Sequence, residues 1–322
     1  MFLTVLLFIV GLILLIKGGD WFVDGATGIA KIFRIPDILI GATVVSIGTT
    51  LPEVMVSATS AFGGHGEIAY GNAIGSIICN TALIAALTIA IRPSKIERKS
   101  FVLPVIVFFV AAAFYSAVAY FFGEFSRWVG IVLLVIFGVY ITLSVRSALK
   151  SAKYDETALD EPHEKKGLLI DIVLLVVGAA VIAFGADMLV DNGIVIAKAL
   201  GVPEAVIGLT FIAIGTSLPE LVTAVTSLVK GHGALSLGNV IGANIFNLVL
   251  VSGVSVVVSP FSVPSNTQVF GINSSLVIDI PVMLAVMALL TLPALISKKL
   301  TRVQGILLMV IYAAFCTAQF VI

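Results

Sequence analysis

Apolar residues fill the chain in long stretches, and short polar or Gly- and Pro-containing segments separate them. Each stretch has about the twenty residues that a helix needs to cross the core of a bilayer. We interpret the first sixteen residues as part of a retained first helix, because no basic segment precedes them and no small-residue cleavage site follows. The pattern predicts ten helices, over residues 2–30, 38–62, 68–91, 101–122, 127–148, 168–197, 205–229, 234–258, 272–296 and 303–321.

Two longer polar segments interrupt the helices. Residues 150–166 are hydrophilic and too few to form a domain, and residues 259–271 form a loop rich in Pro, Ser and Asn. The sequence therefore predicts a first five-helix half (1–149), a cytoplasmic linker (150–167) and a second five-helix half (168–322).

The composition agrees with a polytopic all-α membrane protein. Of 322 residues, 60% are hydrophobic and 11% are charged, and the mean hydropathy is +1.19. Soluble domains have roughly 25% charged residues, so these values exclude a soluble enzyme, a nucleic-acid-binding protein and a disordered scaffold. The net charge is zero, and no basic tail indicates a nucleic-acid partner. Cys79 and Cys316 lie in apolar stretches, so we expect no disulfide framework.

Basic residues are concentrated in the loops that follow odd-numbered helices. Of the 18 Lys and Arg residues, all but Lys17, Arg127 and Lys198 lie there. Because cytoplasmic loops carry the excess of Lys and Arg, the odd-numbered loops are predicted to be cytoplasmic and both termini to lie outside.

Polar residues inside the predicted spans recur at an offset of 167 positions. An odd number of helices in each half inverts the second half relative to the first. Inverted repeats characterise secondary transporters, whose substrates bind near the midplane of the membrane. The matched residues are Asp20, Asp24, Gly41, Glu53, His65, Asn72, Gly75 and Asn80 in the first half and Asp187, Asp191, Gly208, Glu220, His232, Asn239, Gly242 and Asn247 in the second.

Two matched segments, 41–53 and 208–220, end in Leu-Pro-Glu and place Glu53 and Glu220 deep in apolar spans. Insertion scales assign an ionisable group there a cost of about 2.5–3.5 kcal/mol, so such a group is functional by default. In each segment a threonine, Thr49 or Thr216, precedes the glutamate by four residues and shares its helix face.

Pro52 and Pro219 lack an amide hydrogen and are expected to release the carbonyl groups of Gly48 and Gly215. Carboxylate, hydroxyl and carbonyl oxygens at one depth favour Ca²⁺ or Na⁺, and no His or Cys beside them favours zinc or copper. The alternative is that Pro and Gly only kink the helices and that each glutamate pairs with a basic residue.

The helices that follow add a second polar set at a spacing of four residues. Glycines beside these positions, Gly71, Gly75, Gly238 and Gly242, permit close helix packing. Hydrogen bonding between helices is the alternative role for the asparagines. The set comprises Asn72, Ser76 and Asn80 in the first half and Asn239, Ala243 and Asn247 in the second.

The paired Gly-Thr-Thr/Ser-Leu-Pro-Glu segments, each followed by Gly-Asn-x-Ile-Gly-Ser/Ala, resemble the two α-repeats of the cation/Ca²⁺ exchanger superfamily. The similarity covers essentially the whole chain, with α-repeat motifs at 41–80 and 208–247, and the prokaryotic Na⁺/Ca²⁺ antiporters are the most similar group. The resemblance implies that helices 2, 3, 7 and 8 surround four adjacent cation sites. It also implies that helices 1 and 6 slide across the others to alternate access.

The resemblance further implies roles for single residues. Glu53 and Glu220 correspond to the bridging carboxylates, and Ser46 and Ala213 offer backbone carbonyls. The other implied ligands are Thr49, Thr50, Ser76, Asn80, Thr216 and Ser217. This chain has Ala243 and Asn247 where several family members have Ser and Asp, so it lacks one hydroxyl and one possible charge.

The predicted function is exchange of Na⁺ for Ca²⁺ across the cytoplasmic membrane, with no cofactor and no protein partner. The alternative within transport is H⁺/Ca²⁺ exchange, although Gly75 and Gly242 stand where the proton-coupled branch resembles Gly-Asn-x-x-Glu. A Ca²⁺ channel or an intramembrane protease is a more distant alternative.

Two further sets of matched residues are not assigned to the cation site. The acids Asp20, Asp24, Asp187 and Asp191 are expected to anchor or cap the long helices 1 and 6, the alternative being attraction of cations. His65 and His232 are assigned no role.

Overall fold

The computed structural model describes residues 1–33, 35–154, 165–200, 215, 217–264, 268–269 and 271–321. These residues form a bundle of helices, which confirms the predicted helical membrane protein. Nine helices in the described part of the chain are long and apolar enough to cross a bilayer. The seventh predicted span, 205–229, is described continuously only from residue 217 onward.

The helices begin and end close to the predicted residues. In chain order they are α1 Phe2–Ile32, α2 Asp37–Phe62, α3 Gly66–Ile91, α4 Arg98–Phe122, α5 Arg127–Tyr154, α6 Lys165–Ala199, α7 Leu218–Val229, α8 Gly233–Val258, α9 Ser275–Ser297 and α10 Arg302–Val321.

Two predicted segments differ in detail from the structure. Helix α5 continues to Tyr154, inside the linker predicted to begin at residue 150, because Ser, Ala and Lys permit a helix to extend beyond the apolar core. The predicted loop 259–271 contains short strands: β1 (Glu124–Phe125) pairs with β2 (Phe261–Ser262), and β3 (Gln268–Val269) pairs with β4 (Ile272–Asn273).

Helices α1 and α6 pack against each other along their length through glycines. A Cβ on Gly18 would lie 2.9 Å from the main-chain nitrogen of Ile182, and a Cβ on Gly185 would lie 2.9 Å from that of Leu15. Small residues at such positions let helix backbones approach closely in a membrane. The α1–α6 pair contributes most of a smaller apolar cluster, which also contains Ile40 and Val45 of α2 and Leu235 of α8 and is distinct from the larger core of the bundle.

Helix α8 crosses α2 at two of the predicted packing glycines. A Cβ on Gly242 would lie 2.6 Å from the Cα of Ala42, and a Cβ on Gly238 would collide with the carbonyl oxygen of Ile38. The predicted role of these two glycines is therefore confirmed. A Cβ on Gly71 or Gly75 meets no described atom within 4 Å. Repeat symmetry would place both glycines against residues 205–209, which lie outside the described residues, so that contact stays a prediction.

Loops that are distant in sequence contact each other at two places. Residues 94–96, after α3, pair with residues 298–300, after α9, through main-chain hydrogen bonds of 2.8 and 3.0 Å. Strand β1, after α4, pairs with β2, after α8. Odd-numbered loops thus contact odd-numbered loops, and even-numbered loops contact even-numbered ones.

Candidate cation-binding site

The two predicted glutamates meet in the interior of the bundle. Glu53 on α2 and Glu220 on α7 are both 0% exposed, and their carboxyl groups are close enough to interact with each other. Neither forms an ion pair with any Lys, Arg or His that the structure describes. Buried carboxylates without a basic partner are destabilising unless something else compensates their charge. The alternative in which each glutamate pairs with a basic residue is therefore excluded for the described side chains.

Several oxygen atoms around the glutamates have no hydrogen-bond partner among the described residues. Buried polar groups are normally hydrogen-bonded, so a cluster of unsatisfied oxygens indicates a place for a ligand that accepts lone pairs. The oxygens are both carboxylate oxygens of Glu53, Oε2 of Glu220 and the amide oxygens of Asn80 and Asn247, and the amide nitrogens of the two asparagines also have no partner there.

Both asparagines stand where the helix geometry changes. Asn80 begins a π-helical segment of α3 (Asn80–Ala85), and Asn247 begins the corresponding segment of α8 (Asn247–Val251). Short π-helical segments are rare and frequently lie at functional sites, because they rotate a side chain relative to the regular helix. Both asparagine side chains are fully buried.

Hydroxyl groups of α2 connect this helix to α7 and α8. The Thr50 hydroxyl lies 3.5 Å from Oε1 of Glu220 and donates to it. The Thr49 hydroxyl donates to Oδ1 of Asn239 at 3.3 Å, and the Ser46 hydroxyl donates to the main-chain oxygen of Asn239 at 3.0 Å. The predicted hydroxyl ligands of α2 thus lie at its contact with the second half.

The asparagines Asn72 and Asn239 form hydrogen bonds between helices, which was the alternative role considered for them. The Asn72 amide donates to Ser57 Oγ at 2.8 Å and to the main-chain oxygen of Glu53 at 3.3 Å. Asn239 accepts the bonds from Ser46 and Thr49. Both therefore support the residues beside the carboxylates.

Ser57 was not identified from the sequence. It lies four residues after Glu53 and therefore on the same face of α2, and this spacing is the signal that could have revealed it.

The backbone of α2 departs from expectation at one point. Pro52 lies inside a helix that continues from Ser46 to Phe62, whereas the irregular part, Gly41–Val45, is π-helical and comes one turn earlier than predicted. The missing amide hydrogen of Pro52 is thus accommodated without interrupting the helix. In the second half, Pro219 lies in the first turn of α7, the position that proline tolerates best.

The structure describes only some of the other predicted site residues. Ser76 and Ser217 are buried, at 4% and 1% exposure. Thr216 and Ala213 lie outside the described residues, as do positions 208–212 of the second motif. The described residues contain no group of three or more His, Cys, Asp or Glu side chains placed to hold a metal ion. A cation between Glu53 and Glu220 would therefore need neutral oxygens to complete its ligands.

A family model described as sodium/calcium exchanger protein matches residues 3–146 and 170–321. The chain belongs to the sodium/calcium exchanger family. Similar exchangers include the sodium/calcium exchanger MaX1 of Methanosarcina acetivorans, which is 32% identical over 362 residues and 98% of each chain. The inner membrane protein YrbG of Escherichia coli is 36% identical over 269 residues and 81% of each chain.

The fold is also that of a solved exchanger. The sodium-calcium exchanger NCX_Mj superimposes with a TM-score of 0.81 over 97% of each chain, at 32% sequence identity. That structure concerns extracellular ion exchange and occlusion of the binding site, with Na⁺ and Sr²⁺ soaked into the exchanger. The chain is therefore a multi-pass membrane protein with the fold of a sodium/calcium exchanger.

Proposed function

We propose that this protein is a secondary active antiporter that exchanges Na⁺ for Ca²⁺ and normally exports Ca²⁺ across the cytoplasmic membrane. One observation carries the proposal. Glu53 and Glu220 are fully buried and interact with each other, they have no described basic partner, and three of their four carboxylate oxygens have no hydrogen-bond partner among the described residues. Hard oxygen ligands of this kind suit Ca²⁺ and Na⁺, the two ions named in the descriptions of MaX1 and NCX_Mj.

The charge of the pair explains why exchange would be coupled. Two carboxylates give the site a charge of −2, which one Ca²⁺ or two Na⁺ neutralise. When cations neutralise the site, enclosing it in the low-dielectric interior during the conformational change costs little free energy. An empty site keeps its full charge and is costly to occlude. Because both ions use the same oxygens, one must leave before the other binds.

The ligand set that we propose follows the implied roles of the sequence motifs. Glu53 and Glu220 bridge the ions, and Ser46 and Ala213 contribute backbone carbonyls. The remaining ligands are Thr49, Thr50, Ser76, Asn80, Thr216, Ser217 and Asn247. The burial of those that the structure describes supports this assignment.

We further propose ten transmembrane helices in two inverted halves, residues 1–149 and 168–322, joined by the linker 150–167. Contacts between loops of the same parity support this topology. The Lys and Arg distribution supports odd-numbered loops in the cytoplasm and both termini outside. Alternating access is proposed to occur by movement of the tightly packed α1–α6 pair across the rest of the bundle.

A flux assay in proteoliposomes tests the proposal. Vesicles loaded with Na⁺ and diluted into Na⁺-free medium should take up Ca²⁺, and vesicles without a Na⁺ gradient should not. Equal uptake under both conditions would contradict Na⁺ coupling. Uptake driven only by a pH gradient in Na⁺-free medium would favour H⁺/Ca²⁺ exchange, and flux without any counter-ion would indicate a channel.

A further inference from the structure

Lys230 connects the end of α7 to the middle of α1. Its ammonium nitrogen lies 2.8 Å from Oδ1 of Asp24 and 3.5 Å from Oδ1 of Asp20, and it donates to the main-chain oxygen of Asp20 at 3.0 Å. The Lys230 side chain is 25% exposed, whereas Asp20 and Asp24 are 37% and 55% exposed, so solvent reaches the carboxylate side of the bridge. One lysine thus holds two carboxylates of the α1–α6 pair, the unit proposed to move.

The loop that carries Lys230 is also bonded to α2, which belongs to the part of the bundle across which the α1–α6 pair is proposed to move. Nδ1 of His232 lies 2.9 Å from Oδ2 of Asp37, which stands in the first turn of α2. His232, to which the sequence assigned no role, therefore anchors the short loop between α7 and α8. Through this loop, α1 is tied to α2 and α7 together.

An apolar contact closes the same side of the bundle. Phe22 lies between Asp20 and Asp24 in sequence, is 1% exposed, and would have its Cζ 3.0 Å from a Cβ on Gly48. Gly48 precedes Glu53 by five residues, about 7 Å along the helix toward the end of α2 that begins at Asp37. Phe22 therefore packs against α2 between the levels of Glu53 and Asp37, where it also lines the inner part of a cavity.

On the side of the even-numbered loops, the corresponding aspartates have different surroundings. Asp187 and Asp191, which correspond to Asp20 and Asp24 in the repeat, line a cavity of about 770 Å³ together with Leu51, Met55 and Val56. Neither aspartate forms an ion pair with a side chain that the structure describes.

The repeat explains this difference. The position that corresponds to Lys230 is Gly63, which has no side chain to reach across. The expected anchoring role of Asp20 and Asp24 thus has a described partner, and that of Asp187 and Asp191 has none.

We propose that Lys230, Asp20 and Asp24 form a one-sided latch that keeps the odd-loop side of the transporter closed and so biases it toward the state open on the other side. The inference rests on the proposed alternating access. Opening the odd-loop side requires α1 to leave α7 and to break both ion pairs, whereas opening the other side breaks no equivalent pair between side chains that the structure describes. A contact present in only one of two states shifts their populations by its own free energy.

Accessibility of two engineered cysteines tests the latch without measuring transport. In a Cys79→Ser, Cys316→Ser background, Thr226→Cys reports the odd-loop side, because Thr226 packs against Gly19 of α1. Met55→Cys reports the other side, because Met55 lines the cavity and is 63% exposed. In nanodiscs at fixed Na⁺, Lys230→Met should raise the rate of maleimide modification at residue 226 by roughly three- to tenfold and lower the rate at residue 55.

Two variants define the charge dependence. Lys230→Arg, which keeps the charge, should stay close to the parent at both reporters. The double variant Asp20→Asn, Asp24→Asn should reproduce the Lys230→Met shift, and combining all three changes should add nothing, because they remove the same interaction. Unchanged rates in Lys230→Met would overturn the proposal.

The repeat offers a mirror experiment at Gly63. This residue has φ −75°, and a Cβ there would meet its nearest neighbours at 3.5 Å, so a side chain fits. Gly63→Lys should supply a cation for Asp187 and Asp191 when the cavity closes, and should therefore shift both reporters in the direction of Lys230→Met. Gly63→Gln controls for side-chain size, and an equal effect of Gln and Lys would contradict an electrostatic latch.

The outcomes separate this inference from the proposed function. If the reporters shift reciprocally while Na⁺ gradients fail to drive Ca²⁺ uptake, the latch stands and the assigned ion coupling is wrong. If Ca²⁺ exchange is normal and neither reporter responds to Lys230→Met, the exchanger stands and the latch is wrong.

Discussion

The helix pairs α2–α3 and α7–α8 are related by the repeat. They carry the same charged residue at matched positions, but they differ at two positions that have a hydroxyl group in only one pair. Both pairs contribute one buried glutamate and one buried asparagine that begins a π-helical segment. The first pair has Ser46 and Ser76 where the second has Ala213 and Ala243. The comparison teaches that each half contributes one buried carboxylate, whereas side-chain hydroxyls at these two matched positions are present only in the first half.

The largest effect is expected from the residues that the two halves share. Glu53→Gln and Glu220→Gln each remove one charge while preserving shape, and each should lower Ca²⁺ exchange about 100-fold or more, corresponding to roughly 3 kcal/mol of lost cation binding. Na⁺-driven uptake into proteoliposomes measures the effect. Glu67→Gln, at an exposed position on α3, is the matched control and should exchange normally. Near-normal exchange by either glutamate variant would contradict the prediction that both halves contribute an essential carboxylate.

A second test adds charge at the paired asparagines. Asn247→Asp and Asn80→Asp each place a third carboxylate beside Glu53 and Glu220, which another cation or a proton must compensate. We expect folded proteins whose Ca²⁺ exchange depends more steeply on pH and on Na⁺ than that of the parent. The measurement is exchange rate against pH at several Na⁺ concentrations.

The two asparagine variants are also compared with each other. Similar changes in both would extend the symmetry from the glutamates to the asparagines. An Asn247→Asp protein with unchanged pH and Na⁺ profiles would place residue 247 outside the ion cluster, and its role as a ligand would have to be abandoned.

The sequence identified the two buried glutamates more readily than it predicted the backbone around them. Glu53 and Glu220 are recognisable because charge is rare in apolar spans, and the repeat marks both at once. The π-helical segments at Asn80 and Asn247 were not predicted, because an inserted residue changes hydrogen bonding without changing composition or hydropathy. The bonds of Ser46 and Thr49 to Asn239 join residues about 190 positions apart. Only helix packing determines such contacts.

Helix packing provides a third test of the comparison. Gly242→Ala places a methyl group against Ala42 and Ser46 of α2, and such overpacking typically costs about 1–3 kcal/mol. We expect a clear fall in the thermal unfolding temperature, measured in detergent. If the contact between α3 and α7 mirrors that between α8 and α2, Gly75→Ala should lower it by a similar amount.

The control for this test is Gly138→Ala on α5, where a Cβ would meet no described atom within 4 Å. It should leave the unfolding temperature unchanged. A fall for Gly242→Ala alone would show that the two halves pack differently at these glycines.

The smallest effect is expected where the halves differ by a single hydroxyl. Ala243 is fully buried one turn before Asn247, as Ser76 is one turn before Asn80. If residue 243 faces the ions, Ala243→Ser supplies the missing ligand and should raise the apparent affinity for Na⁺ by about two- to fivefold, because one polar contact is worth about 0.5–1 kcal/mol. Ser76→Ala should lower it by a similar factor. If residue 243 instead faces packed side chains, the new hydroxyl has no partner, and the variant should lose thermal stability with its Na⁺ dependence unchanged. Measuring Na⁺ dependence and unfolding temperature on the same preparations therefore decides whether the second half has lost a ligand at residue 243 or never used that position for one.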